Sequence, residues 1–188
     1  MSNRFRKLLF AVAVAAIPVS AMAAKPQPQP PAVQPAVYVD ADGKVVGPEI
    51  NYSVQVRLDG YVIKLCVDYI RTTSNGVIDR SGAKWCSSEP VYFEQSECLG
   101  TPYVGLLGFN GEMISGYAYA GVVLAGAGAN AFTLYVGDLR SGARLVPASL
   151  YQEGVCSVPS DPTYEMDLYP VVATYDLGAM FKLPLRVR

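Results

Sequence analysis

The chain contains no histidine, and this absence excludes more functions than any other feature of its composition. Histidine is the usual general base near neutral pH and a common metal ligand. Its absence excludes Ser-His-Asp and Cys-His catalysis and any zinc site built on histidine. Carboxylate pairs, a Ser-Lys arrangement, tyrosine and carboxylate-bound calcium remain as available chemistry.

Positive charge is also scarce. Three of the fifteen basic residues lie in the first seven positions, so the rest of the chain holds twelve basic residues against sixteen acidic ones, a net charge of −4. The only late basic cluster is small, at Lys182, Arg186 and Arg188. Binding to nucleic acid requires a basic patch, so we expect no nucleic-acid partner.

The N-terminus has the layout of an export signal. A positive cluster, an uncharged apolar run and a small-residue cleavage motif follow one another: Arg4, Arg6 and Lys7, then residues 8–19, then Ala21-Met22-Ala23. The run is shorter than the roughly 20 residues that a membrane-spanning helix needs. We therefore predict a signal peptide at residues 1–23, no integral membrane segment after its cleavage, and a periplasmic or secreted product.

Residues 24–36 are predicted to be a proline-rich linker. Five prolines lie between Lys25 and Ala36, separated mainly by Gln and Ala. Such a composition favours extended polyproline II and forms no core. The segment is either a plain spacer or a stalk that docks on a partner, and the sequence leaves both open.

Four cysteines follow the signal, at Cys66, Cys86, Cys98 and Cys156, with no C-x-x-C pair among them. An even number in an exported chain predicts two disulfides rather than a metal or redox site. Three connectivities are available. The one that joins Cys66 to Cys86 and Cys98 to Cys156 is favoured, and the other two stay open.

The rest of the chain, residues 37–188, is predicted to be a single all-β domain, an antiparallel sandwich or barrel-like fold stapled by the disulfides. Its clearest unit is a hairpin over residues 52–67, because Asp59-Gly60 supplies the positive φ angles of a two-residue turn. If Leu58 pairs with Tyr61, one face is core: Val54, Val56, Leu58, Tyr61, Ile63 and Leu65. The other face is mostly polar and carries Cys66, so its disulfide should lie on the outside of the hairpin.

Further strands are expected where β-branched and aromatic runs occur between turn dipeptides such as Asp42-Gly43, Asn75-Gly76 and Asn110-Gly111. These runs are residues 37–39, 44–46, 91–94, 102–107, 113–124, 131–136, 144–146 and 169–174. The uncharged, glycine-rich stretch 113–137 predicts two strands buried on both faces. Only residues 175–181 suggest a helical turn.

Three motifs resemble functional signatures but have simpler interpretations. Gly126, Gly128 and Ala131 spell G-x-G-x-x-A, yet a strand rather than a helix should follow. Ser81 and Lys84 match S-x-x-K without the companion K-T-G motif. Asp40-Ala41-Asp42-Gly43 resembles a calcium loop with its glycine misplaced, so a hairpin turn is favoured. No cofactor and no metal are expected.

Two residue classes remain as candidates for function. Glu89, Glu94 and Glu97 could supply the paired carboxylates of a hydrolase, or serve as charged strand edges. Tyrosine occurs thirteen times beside a single tryptophan. Aromatic rings with a polar end suit sugar stacking and protein contact as well as ordinary packing, so Trp85, Tyr117 and Tyr119 are candidate binding residues.

Two segments carry a resemblance. Val91-Tyr92-Phe93-Glu94 followed by Cys98-Leu99-Gly100-Thr101-Pro102-Tyr103-Val104 resembles a recurring segment of exported proteobacterial β-rich proteins, some of them associated with phage-tail or collagen-like fibres. Those proteins often begin with a stretch similar to residues 39–48. The resemblance implies an exported β-rich module and supplies no activity, and this chain has no collagen repeat.

The sequence therefore predicts a non-enzymatic surface or periplasmic binding or structural module, with an envelope protein or a glycan as partner. Two alternatives are a small carboxylate-dependent hydrolase and a carbohydrate-binding module. An exposed patch of Tyr and Trp would favour binding, whereas two acids that converge in one pocket would favour hydrolysis.

Overall fold

The computed structural model describes residues 35–51, 53–69, 82–87, 89–105, 117–128 and 130–188. The predicted signal peptide, nearly all of the proline-rich linker, Ser81, and the turns at Asn75-Gly76 and Asn110-Gly111 lie outside these residues. The described residues form an all-β structure of antiparallel strands, as the sequence predicted.

The strands are, in chain order, Val37–Val39 (β1), Val45–Ile50 (β2), Ser53–Leu58 (β3), Tyr61–Tyr69 (β4), Ala83–Trp85 (β5), Val91–Phe93 (β6), Pro102–Gly105 (β7), Tyr119–Ala125 (β8), Phe132–Asp138 (β9), Ala143–Leu145 (β10), Ser149–Gln152 (β11), Val155–Ser157 (β12), Met166–Asp176 (β13) and Arg186–Val187 (β14). A helical turn, Leu177–Met180 (α1), follows β13 where one was expected, and Ser96–Cys98 forms a short 3-10 turn. The sequence missed β5, β11, β12 and β14, which are too short to show an alternating pattern.

The β3–β4 hairpin has the predicted register. Leu58 pairs with Tyr61, and Asp59 and Gly60 have φ angles of 47° and 89°, which the two-residue turn requires. Val54, Val56, Leu58, Ile63 and Leu65 are buried, and Tyr61 is half-buried beside them. The alternation of apolar and polar residues was sufficient to fix this register, because a slip by one position would exchange the two faces.

The first sheet contains six strands in the order β14-β1-β2-β3-β4-β5. Its two lateral ends meet, because Leu185, directly before β14, exchanges two backbone hydrogen bonds of 2.8 Å with Ala83 of β5. The sheet therefore curls into a barrel-like form in which its end strands satisfy each other.

The second sheet has the order β12-β11-β6-β7-β13-β9-β8, and β10 pairs with β13. The long strand β13 joins its two parts: the first half pairs with β7 and β10, and after a register shift between Val171 and Ala173 the second half pairs with β9. In β8, Val122 and Val123 are buried on opposite faces, as predicted for the uncharged stretch. The strand Phe132–Asp138 follows the G-x-G-x-x-A motif, so that motif is a turn.

Three apolar clusters result. The largest fills the space between the first sheet and β8–β9 and contains Trp85. The second lies within the curl of the second sheet, around Val91 and Val104. The third contains Tyr92, Tyr103, Met166 and Leu168. Because neighbouring residues in a strand point to opposite faces, Tyr92 and Val91 place the third cluster on the outer face of the second sheet.

Candidate functional site: a tyrosine-lined cleft

Both predicted disulfides are present, with the favoured connectivity. Cys66 is joined to Cys86, and Cys98 to Cys156. The first links β4 to the residue after β5, and its half-buried cysteines lie on the polar side of the hairpin. The second links the 3-10 turn to β12. Two disulfides indicate that the protein works in a non-reducing environment outside the cytoplasm.

The second disulfide is supported by a buried hydroxyl. Ser149 of β11 accepts a hydrogen bond of 2.9 Å from the backbone N–H of Cys98 and donates one of 2.5 Å to the carbonyl of Gln95. The β6–β7 connection is therefore fixed to β11. Strand β12 pairs with β11 on its other side and is the end strand of the sheet.

The chain after β12 crosses the outer face of this sheet. Strand β12 and strand β13 are four strand spacings apart, roughly 19 Å at about 4.8 Å per spacing. Residues 158–165 span this gap, and they pass over the third apolar cluster. A cleft remains between this crossover segment and the sheet.

The cleft has a volume of about 270 Å³. It is lined by Tyr92, Pro147, Leu150, Pro159, Ser160, Asp161, Tyr164 and Met166. Tyr92, Leu150 and Met166 come from the sheet, while Pro159, Ser160, Asp161 and Tyr164 come from the crossover segment. We call this site the Tyr92–Tyr164 cleft.

The cleft presents hydroxyl donors and one negative charge. Burial, with the nearby charge of Glu89, raises the pKa of Tyr92 to about 12, so its hydroxyl keeps its proton at physiological pH. No described residue hydrogen-bonds to that hydroxyl. The Asp161 carboxylate accepts hydrogen bonds from the Thr163 hydroxyl (2.7 Å) and the Thr163 N–H (2.9 Å), which lower its pKa and keep it ionised.

Exposed apolar side chains surround the cleft. Val155 and Val158 are 62% and 68% exposed, Tyr164 is 53% exposed, and Val146 is also exposed. Ser157 pairs with Leu150 of the cleft, so the pleat places Val155, two residues away, on the same face. We call Val146, Val155 and Val158 the valine rim. Exposed apolar side chains beside a cleft are typical of interaction sites.

The structure places Trp85 in the core, where it is 1% exposed and packs against Phe181 with ring centroids 6.1 Å apart. Its side chain therefore takes no part in an exposed patch and shows the ordinary packing that the sequence left open beside a binding role. The indole N–H has no hydrogen-bond partner in the described part of the chain.

Tyr117 and Tyr119 are half-buried and belong to another region. The Tyr119 ring packs edge-on against Tyr61 at 4.7 Å, and Arg140 lies over it at 5.0 Å while donating to its hydroxyl at 2.8 Å. Arg140 also pairs with Asp138 at 2.8 Å. The polar groups of this tyrosine–arginine cluster thus bond to one another. Neither Tyr117 nor Tyr119 lines the Tyr92–Tyr164 cleft.

The Asp40 carboxylate is used for structure. It is buried and accepts the N–H groups of Asp42, Lys44 and Lys182 at 3.0, 2.8 and 3.1 Å. Burial alone would raise its pKa, but these three bonds outweigh burial and lower it. Asp42 is also paired, with Lys182 at 2.6 Å. The resemblance to a calcium loop thus reflects a turn tied to the C-terminal segment.

The described residues contain one group with metal-ligand spacing, Cys66, Asp68 and Cys86, whose ligand atoms lie within 4.8 Å. The sulfurs of Cys66 and Cys86 form a disulfide, so the Asp68 carboxylate is the one remaining metal ligand of this group. The S-x-x-K motif lies partly outside the described residues, because Ser81 is not among them.

The three glutamates of the hydrolase hypothesis have different surroundings. Glu94 accepts a hydrogen bond from the Tyr103 hydroxyl, burial raises the pKa of Glu89, and Glu97 is exposed. None of the three lines the Tyr92–Tyr164 cleft, where Asp161 is the single carboxylate.

Comparison of the chain with protein-family models, curated proteins and solved structures finds no match. The resemblance to exported proteobacterial β-rich proteins therefore stays a prediction. Within the described ranges, no helix has the length and apolar character to cross a membrane.

Proposed function

We propose that the mature chain is a non-enzymatic binding module of the periplasm or the cell exterior, and that its ligand docks in the Tyr92–Tyr164 cleft. The observation that carries this proposal is the coincidence of the cleft with the valine rim. Burying exposed apolar area against a ligand is favourable by about 25 cal/mol per Å². The hydroxyl groups of its tyrosine floor and wall add polar contacts that orient a ligand.

Binding is favoured over hydrolysis by the chemistry of the cleft. A carboxylate-dependent hydrolase needs two carboxyl groups, one of them held protonated by its surroundings. Asp161 is ionised and already bonded to Thr163. Glu89 has a raised pKa but does not line the cleft.

A carbohydrate ligand is the second candidate, supported by the tyrosine–arginine cluster. Tyr61, Tyr119 and Arg140 bring aromatic rings and a charged donor together at the surface. Sugars stack on such rings and bond to such donors. This candidate assigns binding to a different surface, so the two can be separated by mutation.

The test is a binding screen of the mature protein against envelope proteins and glycans, with Tyr164→Ala and Tyr117→Ala as paired variants. Loss with Tyr164→Ala and retention with Tyr117→Ala support the cleft. Loss with Arg140→Ala and retention with Tyr164→Ala would assign binding to the tyrosine–arginine cluster. Turnover of a screened glycan that Asp161→Asn or Glu89→Gln abolishes would contradict a non-enzymatic role.

Export is tested separately. Mass spectrometry of the native product should find Ala24 as the first residue and no free thiols, and fractionation shows whether the product stays in the periplasm. An intact leader with reduced cysteines would contradict the proposed location.

A further inference from the structure

We infer that the Tyr92–Tyr164 cleft binds an extended proline-rich segment, and that the segment is residues 25–34 of a second copy of this chain. The inference rests on the proposed function and names its ligand. Two features carry it: the lining of the cleft by Tyr and Pro, and the composition of residues 25–34, which hold four prolines and one charge.

The polar groups of the cleft match what such a ligand lacks. Proline has no N–H, so a proline-rich segment offers backbone carbonyl acceptors and few donors. Its site must therefore supply donors. Tyr92, whose hydroxyl is protonated and bonded to no described residue, Tyr164 and Ser160 each place a hydroxyl among the lining residues.

The apolar surfaces match as well. Proline-rich segments dock in shallow grooves lined by aromatic rings, where pyrrolidine rings pack between flat side chains. Tyr92 and Tyr164 supply such rings, and Pro147 and Pro159 stand beside them as rigid walls. Little conformational freedom is lost on binding, because a polyproline segment is already extended in solution.

The charge of the cleft is complementary to the charge of residues 25–34. Among the described residues that line the cleft, Asp161 is the only charged one, and it is ionised. Lys25 is the only charged side chain of residues 25–34, and signal cleavage after Ala23 would add the α-amino group of Ala24 beside it. A ligand with positive charge at one end and none elsewhere complements a site with one negative charge.

In this proposal a second copy of the chain supplies the segment, and reversible association of the mature chain tests that assignment. Residues 25–34 directly precede the described part of the chain, which begins at Pro35. Ten residues of polyproline II span about 31 Å at about 3.1 Å per residue. That length exceeds the roughly 19 Å that separate β12 from β13, so a segment of this kind is long enough to lie along the outer face that holds the cleft.

The experiment has two parts. Sedimentation velocity of the mature chain over a wide range of concentration should show reversible association, lost when residues 25–34 are deleted and when Tyr164 is replaced by Ala. The deletion removes no described residue, and both disulfides and all described strands lie in the unit that begins at Gln34. Tyr117→Ala, outside the cleft, should associate like the parent chain.

In the second part, a fluorescent peptide of residues 25–34 is titrated into the deletion variant and followed by anisotropy. Truncating an aromatic anchor should weaken binding about tenfold or more, so Tyr164→Ala should do so. A peptide with its four prolines changed to Ala should bind equally weakly. Lys25→Gln should cause a smaller loss that disappears at high salt.

The outcomes separate the two proposals. A monomer at all concentrations together with no peptide binding overturns the inference, and if the screen still finds a ligand sensitive to Tyr164→Ala, the proposed function stands. If no ligand is sensitive to Tyr164→Ala, both fall. Equal binding of the proline-free peptide would indicate strand addition at the edge of β12 and would also overturn the inference.

Discussion

The two sheets of the molecule treat their edges and their apolar residues differently. In the six-stranded sheet the lateral ends meet through Ala83 and Leu185, and Val45 is its only strand residue among the large exposed hydrophobics of the described chain. In the eight-stranded sheet β12 is an end strand whose three residues are all exposed, next to the Tyr92–Tyr164 cleft and the valine rim. The first sheet thus leaves few apolar side chains exposed, whereas the second exposes an end strand and apolar side chains beside a cleft.

The Asp40 carboxylate and the Tyr92 hydroxyl show a similar contrast, although the Trp85 indole N–H of the first sheet also lacks a partner among the described residues. In the first sheet the Asp40 carboxylate is saturated by three backbone N–H groups. In the cleft of the second sheet the Tyr92 hydroxyl is bonded to no described residue. Unsatisfied hydroxyls on a partly open surface are available to a ligand, whereas satisfied ones stabilise the fold.

The largest effect should come from the core of the first sheet. Trp85→Ala is expected to lower the free energy of unfolding by about 4 to 5 kcal/mol, because it leaves a large cavity beside Phe181. Trp85→Phe, the control, should cost less than about 2 kcal/mol, because the indole N–H that it removes has no partner among the described residues. Urea denaturation measures both. Equal losses would mean that the indole nitrogen, not its volume, stabilises this core.

The second-largest effects on the free energy of unfolding should come from the two disulfides, one in each sheet. Cys98 and Cys156 are 58 residues apart and Cys66 and Cys86 are 20 apart, so loop-closure entropy gives about 4 and about 3 kcal/mol. Replacing both cysteines of each pair by Ala should destabilise the protein in that order, as measured by chemical denaturation. A larger loss for the shorter loop would show that native-state contacts at the first sheet, rather than chain entropy, set the effect.

Asp40→Ala should cost about 3 kcal/mol at neutral pH, because the backbone N–H groups of Asp42, Lys44 and Lys182 lose a charged acceptor. The pKa of Asp40 is lower in the folded protein than its unfolded value of about 3.9, so the carboxylate stabilises the fold above that pH. This contribution is lost as the pH falls through the folded pKa.

The control for this pH dependence is Asp40→Asn, which has a similar shape and no titrating group. The difference in unfolding free energy between the parent chain and Asp40→Asn should shrink on acidification below about pH 4. If it stays constant down to acid pH, the carboxylate charge does not hold the first sheet together. Asp138→Asn lies outside the first sheet and breaks the surface ion pair with Arg140. It should change the free energy of unfolding little.

Much of the first sheet was predictable because its residues are close in sequence. The β3–β4 register follows from alternation across Asp59-Gly60 alone. The sequence could not assign Trp85 to the core or to the surface, because β5 has three residues, too few for alternation to show which face is buried. The cleft could not be predicted either. It brings Tyr92 next to Tyr164 through a crossover segment whose path depends on the strand order, and local patterns do not encode strand order.

The smallest effects should come from the exposed residues of the second sheet. Val155→Ser and Tyr164→Ala are expected to change the free energy of unfolding by no more than about 0.5 kcal/mol, because both side chains are more than half exposed.

The matched change in the first sheet is Val54→Ser, at a fully buried position, which should cost about 2 to 3 kcal/mol. Denaturation of the three variants under one set of conditions makes the comparison. If Val155→Ser destabilised the protein as much as Val54→Ser, the valine rim would be part of the packed core. The exposed apolar surface that distinguishes the second sheet, and with it the case for ligand binding there, would then be lost.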